Sequence, residues 1–496
     1  VRYSRGFFQK KYIREAAVTM VIWFVALYLV ASVAIGLYAT KWVKNSSDYA
    51  MASRALPLYM VVTTTFATWF GSELVLGVSS VFIQKGLAGI VEDPFGASLC
   101  LVVVGLFFAG RLYKLNLLTI GSYYRERYGV VVEILMSAVI ILSYLGWVAA
   151  QVKALGLVFH MLAPDLFTEE VGMIVGIVVV LLHTMFGGMW SVAITDFLQM
   201  IVVVIGLVAI AWIATGMVGG IDVVLAQANS RNLLKGPSLA TPHDMLFFFA
   251  ALMTMMFGSI PQQDVYQRVM SANSVDSARR GPVIGGICYL LFAFVPMYIA
   301  VSAFSVMPDE VTKLLADDPQ KVLPNLILGH MPVIAQVFFF GALLSAIMST
   351  ASATLLAPST TFAENIWRHL RPNMTDRQFL FSLRASMVAF TACVLVFALR
   401  SSDSIYEMVA GAYTVTLVGA FIPLVCGLYW KRATTQGALL SSILGTAAWL
   451  TCKMLWADTF PPQLAGLGVG LVAMILGSLL PQVIRAHVKP SLHPAI

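Results

Sequence analysis

The chain has 496 residues, 59% hydrophobic and only 11% charged, with a formal net charge of +7 and a mean hydropathy of +0.86. Soluble domains carry about 25% charged residues, so these charges are too few to coat a water-facing surface, and a large soluble protein is excluded. Lys and Arg fall between apolar blocks and form no basic stripe or arm, which argues against nucleic-acid binding and matches the positive-inside bias of membrane proteins.

The first apolar block, 16–39, is long for a signal-peptide core and runs into Lys41 and Lys44, so it reads as a retained extra N-terminal helix. The second, 56–83, contains Ala67-Thr68-Trp69-Phe70-Gly71-Ser72-Glu73, where Gly71 weakens the helix and Glu73 places a carboxylate at membrane depth. Blocks at 88–110 and 129–160 follow, the first with Glu92 and Asp93 near its start, the second with Trp147 and Lys153. Two readings fit Glu73 and Lys153: a solute site, or a mutual ion pair of structural role. The blocks at 171–187 and 190–216 are separated only by Phe186-Gly187-Gly188-Met189, and the latter carries Asp196.

The seventh block, 243–262, runs into a second interruption, Phe257-Gly258-Ser259-Ile260-Pro261-Gln262-Gln263-Asp264. After 281–306 comes 334–362, an apolar helix with hydroxyls at Ser345, Ser349, Thr350, Ser352 and Thr354. Ser345, Ser349 and Ser352 share one helical face. Neutral oxygens there suit Na⁺, or else they join helices and bond back to their own carbonyls. Blocks at 381–400, 405–429, 435–456 and 463–485 complete the chain, about thirteen spans of the length a tilted helix needs.

Five spans separate the two interrupted blocks. Paired breaks predict two five-helix repeats, with solute bound at the breaks near the midplane. The expected organisation is a single transmembrane domain over 1–485: the extra helix 16–39, a first repeat 56–216, a second repeat 243–429, two C-terminal helices within 435–485, and a cytoplasmic tail 486–496. Alternating the loops gathers most Lys and Arg on one side, which places the C-terminus inside and, with an odd helix count, the N-terminus outside. The basic residues Arg2, Arg5, Lys10, Lys11 and Arg14 argue the other way for that tail. The five cysteines form no CxxC pair, and no HExxH or paired catalytic His/Cys appears, so neither disulfides nor an enzyme are expected.

Taken in order, ATWFGSE at 67–73, FGGMWSVAITDFLQ at 186–199, GSIPQQDVYQR at 258–268, SAIMSTASATLL at 345–356 and GLYWKRATTQGA at 427–438 resemble the sodium/solute symporter family, over about residues 45–450. The resemblance implies an all-α integral membrane protein with a LeuT-like five-plus-five inverted repeat. It also implies Na⁺-coupled symport of a small polar organic solute by alternating access, in a cell (inner) membrane. Carried over by motif, Na⁺ is held by the carbonyls of Ala67, Phe70 and Ala346 and the hydroxyls of Ser349 and Thr350. Asp196 matches the family's acidic residue near that site, as a second-ion or release-path candidate. Ser352 matches one ligand of a second sodium site, but Ala353 occupies the other position. The nearest local match is to choline-type carriers: Trp69 and Trp147 resemble two walls of their aromatic box, whereas Gln262 and Ala97 stand where aromatic residues are expected. Trp69, Glu73, Glu92, Trp147, Lys153 and Gln262 are therefore the solute-site candidates. The alternatives are a transporter-like solute sensor and proton coupling through Asp196.

Overall fold

A computed structural model describes residues 2–484, with side chains from Thr19 onward. The side chains of Arg2, Arg5, Lys10, Lys11 and Arg14 and the expected tail 486–496 lie outside the described residues. The described chain is helical throughout its membrane-length segments. We label these α1 (Thr19–Trp42), α2a and α2b (Leu58–Trp69 and Glu73–Gly89), α3 (Val91–Leu115), α4 (Val130–Leu162), α5 (Glu169–Val218), α6a and α6b (Pro242–Gly258 and Gln263–Ser271), α7 (Val275–Val306), α8 (Val333–Leu370), α9 (Asp376–Arg400), α10 (Ile405–Tyr429), α11 (Thr435–Leu455) and α12 (Pro462–Leu479). Ten of these helices are long and apolar enough to cross a membrane, or twelve when each bent pair counts as one span.

Capping chemistry sets several starts. Thr241 with Asp244, Thr375 with Gln378, and Ser404 with Glu407 form reciprocal capping boxes at the N-termini of α6a, α9 and α10. These satisfy backbone N–H groups that would otherwise be unpaired at a helix start.

The interruptions at 67–73 and 257–264 are both sharp bends. The halves of α2 meet at 51° and those of α6 at 49°. Backbone groups freed at each bend find partners on other helices, as buried polar groups must. At the α2 bend, Gln151 Oε1 of α4 accepts from Ser72 N (3.1 Å), and Thr350 Oγ1 of α8 donates to the Ala67 carbonyl (3.4 Å). At the α6 bend, Thr416 Oγ1 of α10 donates to the Gly258 carbonyl (2.6 Å).

The 50 residues of α5 would extend about 75 Å if straight, more than twice a hydrocarbon core. Gly188, at φ +53 and ψ −143, folds the helix back on itself. His183 Nε2 and Thr195 Oγ1, 12 residues apart, come within 3.5 Å, where a straight helix would hold them about 18 Å apart. The turn expected over Phe186–Met189 is thus concentrated in one residue, in a backbone region that only glycine adopts readily.

Loops collect at two ends. At one, Leu56 pairs with Ser271 and Asn273, Gln263 with Ile120, Tyr49 with Met185, and Arg127 with Gly427 and Trp430. At the other, Leu87 N donates to Leu233 O, and Lys321 bridges Glu169 (3.1 Å) and Asp318 (3.4 Å). Helix α8 is the centre of the bundle, with 83% of its most apolar window buried, against 33% for α11 and α12, which pack on each other at the periphery. Ala67, Trp69, Phe70, Glu73, Gln262, Ala346, Ser349, Thr350 and Ser352 therefore lie on the most enclosed helix or at the two bends, whereas Glu92, Trp147, Lys153 and Asp196 lie on α3, α4 and α5.

Candidate functional site

The bend in α2 lies directly against α8. Thr350 Oγ1 reaches the Ala67 carbonyl, and a side chain at Gly71 would collide with Thr350, so glycine allows the close approach. One residue earlier on α8, Ser349 Oγ donates to Asp196 Oδ1 at 2.6 Å. The other oxygen of Asp196 accepts from Thr64 Oγ1 on α2a. Three helices thus meet around one buried carboxylate and a set of hard oxygens, the donor type that suits Na⁺. Phe70 is the residue at which the helix breaks, at φ −89 and ψ 67, and Ala346 lies one turn before Thr350. Ser352 donates back to the Met348 carbonyl (2.6 Å). Ser345 turns elsewhere, donating to the Gly341 carbonyl and bonding Tyr28 Oη of α1.

On the other side of Gly71 lies a second cluster. Trp147 Nε1 donates to Glu73 Oε1 (3.1 Å) and Gln151 Nε2 to Glu73 Oε2 (2.6 Å). Trp69 Nε1 donates to Asp264 Oδ2 (3.3 Å), and Tyr144 Oη donates to the other oxygen of that carboxylate. Asp93 accepts from Tyr289 Oη at 2.5 Å. The rings form a cage: Trp69 stands edge-on to Trp147 at 6.2 Å, Tyr413 lies 6.0 Å from Trp69 and 5.3 Å from Trp147, and Tyr144 stacks on Trp147 at 6.0 Å. Gln262 joins its edge, donating to Ser143 Oγ (3.0 Å) and Thr416 Oγ1 (3.3 Å). None of Trp69, Glu73, Asp93, Trp147, Gln262, Asp264 or Tyr413 is more than 3% exposed.

Of the solute-site candidates, Trp69, Glu73, Trp147 and Gln262 come together. Glu92 is half-buried beside the cage and makes none of its hydrogen bonds. Lys153 does not meet Glu73: its Nζ donates to the Asp403 carbonyl (2.7 Å) at the loop between α9 and α10, so the structural ion pair is absent as well. The reason is helical phase. Tyr144, Trp147 and Gln151 lie at i, i+3 and i+7 on one face of α4, whereas Lys153 is six residues past Trp147 and rotated about 240° from it. That stripe was a readable signal for Tyr144 and Gln151. Asp93, Asp264, Tyr289 and Tyr413 carry no such local mark, because their partners lie on other helices, 120 or more residues away.

Comparison with known proteins agrees with this architecture. A family model described as the sodium:solute symporter family matches residues 49–445. The human high-affinity choline transporter is 24% identical over 448 residues, covering 87% of this chain and 75% of its own. The high-affinity proline transporter of Bacillus subtilis is 26% identical over 470 residues, covering 90% and 95%. Among solved structures, a Na⁺-coupled sialic acid symporter in a substrate-bound outward-open state superposes with a TM-score of 0.77 at 20% identity, covering 93% of this chain and 98% of that one. A nucleobase-cation-symport-1 family transporter in a closed conformation gives 0.58 at 15% identity, covering 88% and 94%. The protein is therefore a multi-pass membrane transporter and not an enzyme, and it belongs to the sodium:solute symporter family.

Proposed function

We propose that the chain carries a small polar organic solute across a cell (inner) membrane, driven by Na⁺, by alternating access. The observation that supports this best is the seam between the α2 bend and α8. There the Thr350 hydroxyl lies on the Ala67 carbonyl, and Ser349 is tied to Asp196. Na⁺ at this seam, held by Ala67, Phe70, Ala346, Ser349 and Thr350, links the two helices and favours the form that takes up solute. The solute occupies the neighbouring aromatic cage. Because both Thr350 and Glu73 lie against Gly71, ion and solute favour the same arrangement of α2 and α8, with a coupling of about 1–3 kcal/mol.

Counting the arms of α5 as two spans makes thirteen in all, arranged as one transmembrane domain. The five from α2 through α5 form the first repeat and α6 through α10 the second, with α1, α11 and α12 outside them. The end that gathers Arg54, Arg111, Arg125, Arg127, Lys431 and Arg432 faces the cytoplasm, which puts the C-terminus inside and the N-terminus outside. The test is solute uptake into proteoliposomes with and without an inward sodium gradient, comparing wild type with the Ser349→Ala/Thr350→Ala double variant. Sodium-driven uptake is expected in the first and lost in the second; equal uptake refutes the ion site. Proton coupling is the second reading, favoured by the complete burial of the Asp196 carboxyl group at the seam, and it predicts uptake driven by pH without sodium.

A further inference from the structure

The cage encloses more carboxyl groups than its own cations pair with. Glu73, Asp93 and Asp264 are all buried; Glu73 and Asp264 are hydrogen-bonded to Trp147 and Trp69, the two rings that flank Tyr413, and Asp93 to Tyr289. Arg268, on α6b, is buried beside Asp264 and Asp196, and its Nη1 donates to the Asp264 carbonyl. It offsets that end only. Among the described residues, no Lys, Arg or His forms an ion pair with Glu73 or Asp93. Buried carboxylates are costly without a counter-charge. Among the described residues, no three His, Cys, Asp or Glu side chains converge as a metal-holding group.

The hydrogen-bonding capacity is also unfilled. A carboxylate accepts about four hydrogen bonds, whereas Asp93 receives one side-chain donor, from Tyr289, and Glu73 receives two, from Trp147 and Gln151. The Tyr413 hydroxyl, on a fully buried ring that packs against both tryptophans, has no hydrogen-bond partner among the described residues. Beside the cage lies the polar Gln262, to whose amide oxygen a quaternary ammonium has no N–H to donate.

Resting on the assignment of this cage as the solute site, we infer that the solute is an organic cation bearing N–H groups, a protonated amine. Its N–H groups fill the open positions on Glu73 and Asp93 and donate to the Tyr413 oxygen, while the faces of Trp69 and Trp147 stabilise its charge.

The experiment is calorimetric binding to the purified full chain in detergent, in sodium chloride and in potassium chloride. The probes are ethanolamine, its trimethylated analogue choline, 1,4-diaminobutane, proline and glucose. Ethanolamine or the diamine is expected to bind in sodium at least about tenfold more tightly than choline, the scale of charge-assisted hydrogen bonds lost on methylation. Glu73→Gln is expected to weaken that binding by a similar factor. Tyr413→Phe, which retains the ring and its packing, is expected to weaken it less. Thermal melting of each variant separates lost binding from lost fold. Choline binding as well as ethanolamine, tighter binding of proline or glucose, or no binding of either amine each overturns the inference. Sodium binding to the same preparation, followed with radioactive ²²Na⁺, tests the function proposed above by itself: its absence overturns that reading whatever the solute.

Discussion

Replacing Gly71 by Ala tests whether the α2–α8 seam is where sodium acts. A Cβ at this position would lie 2.5 Å from Thr350 Oγ1 and 2.9 Å from Thr350 Cβ, and would also press on the Glu73 carboxylate. Thr350 is fully buried on the most enclosed helix of the bundle, so neither it nor its backbone has space to retreat into. Forcing one extra carbon into a closely packed contact costs about 1–3 kcal/mol. Here that cost falls on the arrangement in which the Ala67 carbonyl and the Thr350 hydroxyl are close enough to share an ion. Expressed entirely as weakened sodium binding, it lowers affinity about 5- to 150-fold. The assay is ²²Na⁺ binding to purified protein across a sodium titration, with the melting temperature measured in parallel. Gly411→Ala serves as the control, since a Cβ there meets nothing within 4 Å. If Gly71→Ala leaves the sodium midpoint at the wild-type value, the seam is not the ion site. A lower melting temperature without a change in sodium affinity leads to the same conclusion.

Three further outcomes are expected. Gly188→Ala forces a side chain into φ +53 against Tyr49 and should destabilise the protein by about 1–3 kcal/mol, read from unfolding, without moving the sodium midpoint; unchanged stability would mean that α5 does not fold back at this residue. Asp196→Asn keeps an acceptor for Ser349 or Thr64 but removes the charge, so sodium affinity should fall about tenfold or more, the scale of a hydrogen bond to a charged group. Wild-type sodium affinity in that variant would remove Asp196 from the ion path. Lys153→Met, at a side chain that reaches the Asp403 carbonyl and not the cage, should change solute affinity by no more than about twofold; a large loss would restore Lys153 to the solute site.

Much of this protein is written in local sequence. The membrane class follows from the scarcity of charge, since helices facing lipid need no ionised coat. The two bends are announced by Gly71 and by Gly258 with Pro261, because glycine and proline weaken a helix interior. The hydroxyl-rich α8 is equally legible as a run of types, and its motif marks Ser349 and Thr350.

What the tertiary structure alone decided is which of these local features meet. Ser349 to Asp196 spans 153 residues and Thr350 to Ala67 spans 283. Helical periodicity states which face a residue occupies and leaves open which helix that face meets. Asp264 and Asp93 looked like charges at the ends of apolar blocks, yet the bends and the packing around α8 fold both into the interior beside Tyr289, Tyr144 and Tyr413. Lys153, by contrast, has the right helix and the wrong phase, and the bundle carries it to the loop at Asp403. The physical reason is the same in every case. Backbone propensity and burial act along the chain over a few residues, but a binding site is assembled across helices, where hydrogen bonds between distant residues determine which charged groups are enclosed together.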